Sequence, residues 1–341
     1  MSYLQDIVDG RDLTIEEAES LLGEVFNGAT DAQIGALLIA LRMKGESVSE
    51  IAGFARKMRS SAVRISPKVK GTLVDTCGTG GDSTNTINVS TAAAIVSAAC
   101  LVPVAKHGNY AVSSKCGSAN VLSELGVNIS PQPEEVQIMI ETVGIGFMLA
   151  PLFHPAMKRV GPLRRELGMR TIFNILGPLT NPAGAKAQVM GVYDPALCEK
   201  LANVLKMLGT ERAMIVHGNG MDEITNTGKT QVSELKGGEV RSYSLQPQDF
   251  GYVKAKPEEI TGGTPEENAR KLVRVMQGER SRARDIIVMN AGAAVYVSGK
   301  ALTLAEGMAM AEEALDSGIA LQTLKRMVDM NGDTAKLERF L

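Results

Sequence analysis

Apolar residues recur at helical spacing three times within the first 62 positions. Leu21, Leu22, Val25 and Phe26 form one stripe, and Thr14 with Glu17 supplies a capping-box pair ahead of it. Gly28 closes that segment. Thr30 and Gln33 open the next, IGALLIALRMK, which stops at Gly45, and Ser47 with Glu50 opens a third through Ala55 and Met58. The pattern predicts a small module of three helices with tight turns. Its stripes serve an internal core or a face for a second copy.

Beyond residue 70 the period changes. Short apolar runs alternate with amphipathic segments, which is the signature of an α/β unit. The spacing predicts a strand over 71–76, a helix over 92–99, a strand over 101–105 carrying Pro103, a helix over 133–143 opened by Pro133, and a buried strand with its loop over 144–153. A strand over 187–194, a helix over 197–209, a strand and turn over 212–220 and short β segments over 230–254 follow. The run DIIVMNAGAAVYVSG, 285–299, reads as a further strand, and helices over 303–316 and 319–328 close the chain. Between Gly161 and Gly184 lie three prolines and four glycines, a shaped connector suited to a hinge or a crossover back to the helical module.

Composition narrows the function classes. With 341 residues, 44% of them hydrophobic, the chain can bury a large core and divide into more than one domain. A net charge of −2, 4% aromatics and no Trp argue against a nucleic-acid partner and against a base-stacking platform. Four cysteines without a CxxC, and only three histidines, make no zinc pattern and read as reduced thiols. The first residues show no signal-peptide pattern and no apolar run reaches membrane-span length, so a soluble, cytoplasmic protein with no membrane partner is expected.

The chemistry concentrates in VDTCGTGGDSTNTINVST, residues 74–91. A short apolar run meets Gly78, Gly80 and Gly81, then Asp82, then the small polar groups Ser83, Thr84, Thr86, Asn88, Ser90 and Thr91, ahead of an alanine-rich helix. Strand, glycine turn and helix start is the layout that surrounds phosphate with backbone N–H groups. The stretch matches neither the P-loop nor the dinucleotide fingerprint, and a tight turn without a ligand is the plain alternative. Asp82 repels phosphate unless it faces a sugar hydroxyl, a metal or a backbone N–H.

Lys106, His107, Gly108 and Asn109 follow the 101–105 run, where open α/β sheets bind ligands. Lys106 suits phosphate, Asn109 a second ligand, and His107 is a hydrogen bonder, an acid/base group or a structural histidine. Ser113, Ser114, Gly117 and Ser118, with Lys115 in reach, form a second helix start of the same kind. In the connector, Lys158, Arg159, Arg164, Arg165 and Arg170 make either a solvated basic face or a site where one or two arginines hold a carboxylate. Asp222 and Glu223 are either acidic turn residues or ligands of a divalent metal bound to phosphate. A sugar pyrophosphate with its metal satisfies all of these groups together, and positioning plus leaving-group electrostatics would carry its chemistry.

The chain resembles the anthranilate phosphoribosyltransferases of tryptophan biosynthesis over nearly its whole length. GTGGD (78–82), NVST (88–91), KHGN (106–109), VSSKCGS (112–118), HPAMKRVGPLRRELGMRTIFNILGPLTNP (154–182), GVYDP (191–195) and HGNGMDE (217–223) carry the resemblance. It implies a hinged homodimeric enzyme with a small all-helical domain and a large α/β domain with a central, mostly parallel sheet. The boundaries are 1–70 for the small domain, completed by part of 165–185, and 71–341 for the large one.

By the same resemblance, Gly78, Gly80, Gly81, Asp82, Thr86, Asn88, Ser90, Thr91 and Lys106 hold 5-phosphoribosyl 1-pyrophosphate, with Ser83 and Ser118 in the same region, and Ser90, Asp222 and Glu223 contact its Mg²⁺. Asn109, Arg164 and Gly177 bind or guide anthranilate, Arg164 facing its carboxylate, while His107, Ala150, Pro151 and His154 line its path. The implied product is N-(5-phosphoribosyl)anthranilate, formed by positioning through Asn109, His107 and Arg164 without an acid/base dyad. Ser83, Ile87, Tyr110 and Asn120 depart from the residues common in the family. Pyrimidine nucleoside phosphorylase, which shares the architecture, and a nucleic-acid-binding paralogue are the competing readings.

Overall fold

The computed structural model describes residues 1–82, 84–111 and 115–341. Ser83, Ser113 and Ser114, assigned above to phosphate-binding turns, and Val112 of the motif VSSKCGS lie outside the described residues. After a short helix that the pattern did not announce, α1 (Leu4–Val8), come α2 (Ile15–Phe26), α3 (Asp31–Lys44) and α4 (Val48–Ser60). Each of the last three starts in a reciprocal capping box. Thr14, Thr30 and Ser47 accept from the amides three residues on, and Glu17, Gln33 and Glu50 reach back to the cap amides. Their apolar faces bury Leu21, Leu22, Leu37, Leu38, Ile51 and Phe54, and that core runs on without a break into Leu176, Met190 and Leu201 of the α/β part.

The sheet is assembled from β1 (Val74–Gly78), β2 (Val104–Gly108), β3 (Ile145–Leu149), β4 (Ala187–Gly191), β5 (Arg212–Gly218), β6 (Thr230–Lys236) and β7 (Glu239–Leu245). Its order is β3-β2-β1-β4-β5-β6-β7, parallel from β3 to β5 and antiparallel from there to β7. The chain builds outward from β1 to β3 in one direction and from β4 onward in the other. The crevice past the C-terminal ends of β1 and β4 is therefore the topological switch point of the sheet, where such folds take their ligands. Gly78 and Gly191 stand opposite each other at that edge.

Helices α5 (Val89–Ala99), α6 (Ser118–Glu124), α7 (Pro133–Val143), α8 (Ala150–Phe153), α9 (Gly161–Leu167), α10 (Phe173–Leu176), α11 (Leu197–Met207), α12 (Pro265–Met276), α13 (Arg282–Val297), α14 (Leu304–Asp316), α15 (Ile319–Asn331) and α16 (Thr334–Glu338) complete the chain. Among the described residues no helix is long and apolar enough to cross a membrane.

Three sequence expectations are corrected. The 285–299 run is not a strand but the central helix α13, in which every residue from Ile286 to Val297 is buried. A helix surrounded on all sides shows no amphipathic period. Its glycine serves close approach: a Cβ at Gly292 would stand 2.6 Å from Met308 of α14, and one at Gly307 would stand 2.3 Å from the Gly292 carbonyl oxygen. Secondly, β2 begins after Pro103, whose carbonyl accepts from Val74 N at 2.9 Å, so Lys106 and His107 lie inside the strand and are buried, not past its end. Likewise β1 is displaced toward the glycines relative to 71–76. Thirdly, only the first half of 144–153 is strand; Ala150–Phe153 turns into α8.

Candidate active site at the β1–β4 crevice

Past the end of β1 the chain turns through Gly80 and Gly81, at φ 66° and 78°, a left-handed backbone that glycine adopts without a Cβ penalty. The turn is pinned on two sides. Thr79 N donates to the Gly191 carbonyl at 3.0 Å, and Gly80 N donates to Asp222 Oδ2 at 2.8 Å. Thr84 Oγ1 donates to Asp82 Oδ2 at 2.5 Å, which closes the loop on itself. A segment not singled out in the sequence, 260–262, lies against the outgoing limb: Thr86 bridges Thr261, Ile87 N donates to the Ile260 carbonyl at 3.1 Å and Gly262 N donates to the Asn85 carbonyl at 2.7 Å. These bonds fix where Thr86 and Asn88 point. Ile87, one of the departures from the family pattern, is simply core.

Asp222 and Glu223 enter the crevice from the loop after β5. Glu223 accepts from Ser90 N at 3.2 Å, at the positive end of α5. The two acids fit because three strand ends carry glycine. A Cβ at Gly191 would stand 1.5 Å from the Asp222 carbonyl oxygen, one at Gly218 2.3 Å from the Glu223 carbonyl oxygen, and one at Gly78 2.3 Å from Asp222 Oδ2. Gly78, read in the sequence as a phosphate contact, also seats Asp222. Gly191 and Gly218 lie in the quoted motifs GVYDP and HGNGMDE but had no role there, because that role depends on a loop packed against them in the fold.

Burial, with Asp82 close by, pushes the Asp222 carboxyl well up, and burial beside Asp222 pushes Glu223 up. The cluster holds more negative charge than its surroundings balance. Lys106 Nζ is the cation that faces it, donating to the Thr76 carbonyl at 2.6 Å and to Ser90 Oγ at 3.3 Å. Burial drives its pKa down while Asp75 and Glu223 oppose that shift. Asp75 is a residue the sequence reading missed. It is fully buried, accepts from His107 N at 3.1 Å and from Asn181 Nδ2 at 2.7 Å, and is pushed up to about 6 by burial. An acid inside the apolar run LVDT was the available signal. Buried Thr91 Oγ1 and Asn88 Oδ1 have no partner among the described residues, which leaves two polar atoms at the start of α5 unsatisfied there.

A second group gathers beside β2. The rings of His107 and His154 lie 5.0 Å apart at 56°, and each Nε2 is buried without a partner among the described residues. The Gly177 backbone faces His107, and that of Thr180 faces His154. A Cβ at Gly177 would meet nothing within 4 Å, so its Cα borders open space. Burial holds His107 at about 3 and His154 at about 4, so both rings are neutral near pH 7. Because each folded pKa lies below the unfolded 6.5, the unfolded chain binds protons first as pH falls. The stabilisation is complete above about pH 6.5 and is lost below it, by about 1.4 kcal/mol per pH unit for each ring. Denaturation midpoints between pH 7 and 5 should therefore fall, and His154→Gln should flatten the slope by about one ring's share; an unchanged slope contradicts the buried neutral pair.

Arg164 on α9 is half-buried, sits over the Phe173 ring at 5.7 Å and has its pKa lowered by burial. It has no ion pair among the described residues, whereas its neighbour Arg159 is spent on Asp31 at 3.1 Å and the Ala29 carbonyl at 2.6 Å. A cavity of about 540 Å³ lies along that Arg159 contact, lined by Phe26, Lys158 and Leu163 among others, and the glycine-rich turn is not in its wall. Asn109 is exposed, its Oδ1 accepting from Tyr110 N at 2.8 Å and its carbonyl from Ala119 N at 3.2 Å. Neither Arg164 nor Asn109 hydrogen-bonds to the His107, His154 and Gly177 group among the described residues. Ser118 opens α6 and faces Gly108, and Asn120 Oδ1 accepts from Ala111 N and Gly117 N, both at 3.0 Å. Asn120 thus holds the turn by accepting hydrogen bonds; Tyr110 is exposed.

Among the described residues no three His, Cys, Asp or Glu side chains converge on one metal position. Asp222 and Glu223, half-buried and only partly balanced by Lys106, fit a hard cation whose remaining ligands are oxygens of a bound phosphate and water.

The crevice, its glycine turn and its attached helical unit define a glycosyl transferase. Residues 1–62 match the family described as "Glycosyl transferase family, helical bundle domain", and 70–321 match "Glycosyl transferase family, a/b domain". The chain is 55% identical over 340 residues to the anthranilate phosphoribosyltransferase of Methanococcoides burtonii, covering 99% of this chain and 96% of that one. It is 53% identical over 328 residues to the Acetivibrio thermocellus enzyme of the same name, covering 96% and 95%. The solved anthranilate phosphoribosyltransferase of Thermus thermophilus superposes with a TM-score of 0.92 at 43% identity, over 97% of this chain and 99% of that one. The Saccharomyces cerevisiae enzyme, solved in complex with PRPP and Mg, superposes with a TM-score of 0.87 at 28% identity, over 96% of each. This chain belongs to the anthranilate phosphoribosyltransferase family.

Proposed function

We propose that the protein transfers the 5-phosphoribosyl group of 5-phosphoribosyl 1-pyrophosphate to the amine of anthranilate, a step of tryptophan biosynthesis. The observation that carries this is the meeting, at one topological switch point, of the glycine turn, the Lys106–Ser90 pair and the acids Asp222 and Glu223. In this account the turn from Gly78 to Asp82, with Thr86, Asn88, Ser90, Thr91 and Ser118, cradles the donor. Lys106 meets its phosphate charge. Asp222 and Glu223, with Ser90, would hold Mg²⁺, which when bound neutralises charge on the departing pyrophosphate.

The C1–O bond to pyrophosphate breaks and the leaving group takes the electron pair. The amine nitrogen forms the new bond to C1 and loses a proton to solvent, giving N-(5-phosphoribosyl)anthranilate. An aromatic amine is a neutral nucleophile at pH 7, so positioning suffices. Neutral His107 and His154, with Gly177, line the acceptor's path, Asn109 guides it, and Arg164 takes its carboxylate.

The same reading makes residues 1–70, with part of 165–185, a small domain hinged on 71–341, and makes the protein a cytoplasmic homodimer. Exposed apolar Val8 and Met43, on the adjacent helices α1 and α3, support a second copy as the cover of that face. Arg164→Ala tests the acceptor site. It should raise the anthranilate KM about 10²-fold, the worth of a lost charge-assisted hydrogen bond, with the donor KM little changed. An unchanged anthranilate KM removes Arg164 from the carboxylate.

A further inference from the structure

Arg170 is a basic residue of the connector with no carboxylate partner among the described residues, and the function above does not use it. Its guanidinium bonds the Gly81 carbonyl in the middle of the glycine turn and lies over the Tyr193 ring at 4.0 Å. A Cβ at Gly81 would stand 3.4 Å from Arg170 Nη2. Tyr193 is itself fixed: its N–H donates to Thr79 Oγ1 at 3.1 Å. Arg170 therefore bonds Gly81 directly and reaches Thr79 through Tyr193, while its own backbone continues the segment that carries Arg164 and leads to Thr171, Phe173 and Gly177. On one side of the pair lies a cavity of about 200 Å³, lined also by Arg42, Glu46, Thr171 and Lys200, where the helical unit meets this segment.

We propose that Arg170, stacked on Tyr193, is a positioning residue that couples the donor turn to the acceptor connector. It rests on the phosphoribosyl-transfer reading. The physical ground is rigidity. A planar guanidinium that is both stacked and hydrogen-bonded has little freedom, so the Gly81 carbonyl and the connector backbone shift together. Donor binding, which adds phosphate contacts to the glycine turn, then sets Arg164 and Gly177 for the acceptor, and by linkage the acceptor tightens the donor.

Hydrogen exchange with Mg²⁺ and 5-phosphoribosyl 1-pyrophosphate alone separates the two claims. In the parent, the donor should slow exchange both in peptides covering 76–82 and in those covering 168–174. In Arg170→Ala it should slow 76–82 only, with exchange in α13 unchanged as the mark of an intact fold. Tyr193→Phe, which keeps the ring, should behave as the parent. Initial rates on a grid of both substrates should give mutual tightening of about tenfold in the parent and near unity in R170A. Protection of 168–174 that persists in R170A overturns the latch. Absence of protection at 76–82 in the parent overturns the donor-site reading and the latch with it.

Discussion

Joint replacement of Asp222 by Asn and Glu223 by Gln is expected to lower kcat/KM for the donor by about 10³-fold, roughly 4 kcal/mol of transition-state stabilisation. The folded chain should survive it. Both side chains keep their size, and the bonds they accept, from Gly80 N and Ser90 N, have an amide oxygen available in the variant. What disappears is the negative charge that recruits a divalent ion to the leaving group. Burial and mutual repulsion outweigh the attraction of Glu223 to Lys106, so neutralising both acids costs the unliganded protein little. Hence the signature is specific: activity and Mg²⁺ dependence fall together while the melting temperature holds or rises. Steady-state kinetics over a Mg²⁺ series, with thermal melts in metal-free buffer, read both. A variant that keeps the parent's Mg²⁺ dependence would take these acids out of the metal site.

Gly191→Ala is expected to do comparable damage by another route. Its Cβ would be placed 1.5 Å from the Asp222 carbonyl oxygen and 2.2 Å from the carbonyl carbon. Both are backbone atoms, so no rotamer change relieves the clash, and the loop carrying the two acids must move. Overpacking of this kind costs about 1–3 kcal/mol of stability. Displacing the acids by even an ångström misaligns them with the glycine turn and with Ser90, which costs about 10²-fold in rate. Gly78→Ala meets Asp222 Oδ2 at 2.3 Å, a side-chain atom, and should lose less stability. Activity assays with melts of both variants check the order, which reverses if Gly191 has no such seat.

Local chemistry was legible in the chain and tertiary chemistry was not. The capping boxes at Thr14, Thr30 and Ser47 and the proline at the start of α7 need only neighbours three residues away, and the structure has all of them. The glycine turn was also visible, because a βα turn concentrates its polar groups in sequence. α13 was misread as a strand because a helix packed on every side loses its polar face, although Ser281, whose side chain caps Arg284 N, marked its start. Asp75, Asn181, Gly191, Gly218 and the Arg170–Tyr193 pair matter through partners remote in sequence. No spacing rule reaches that far. His107 was left open between acid/base work and hydrogen bonding, and burial, which only the fold supplies, makes it neutral.

The central claim is one chemical event on one pair of substrates, and stoichiometry tests it most directly. With Mg²⁺, anthranilate and 5-phosphoribosyl 1-pyrophosphate, loss of anthranilate fluorescence and release of pyrophosphate should proceed at equal rates and stop together when either substrate is exhausted. Pyrophosphate release without loss of anthranilate, or no consumption of anthranilate at all, would contradict it.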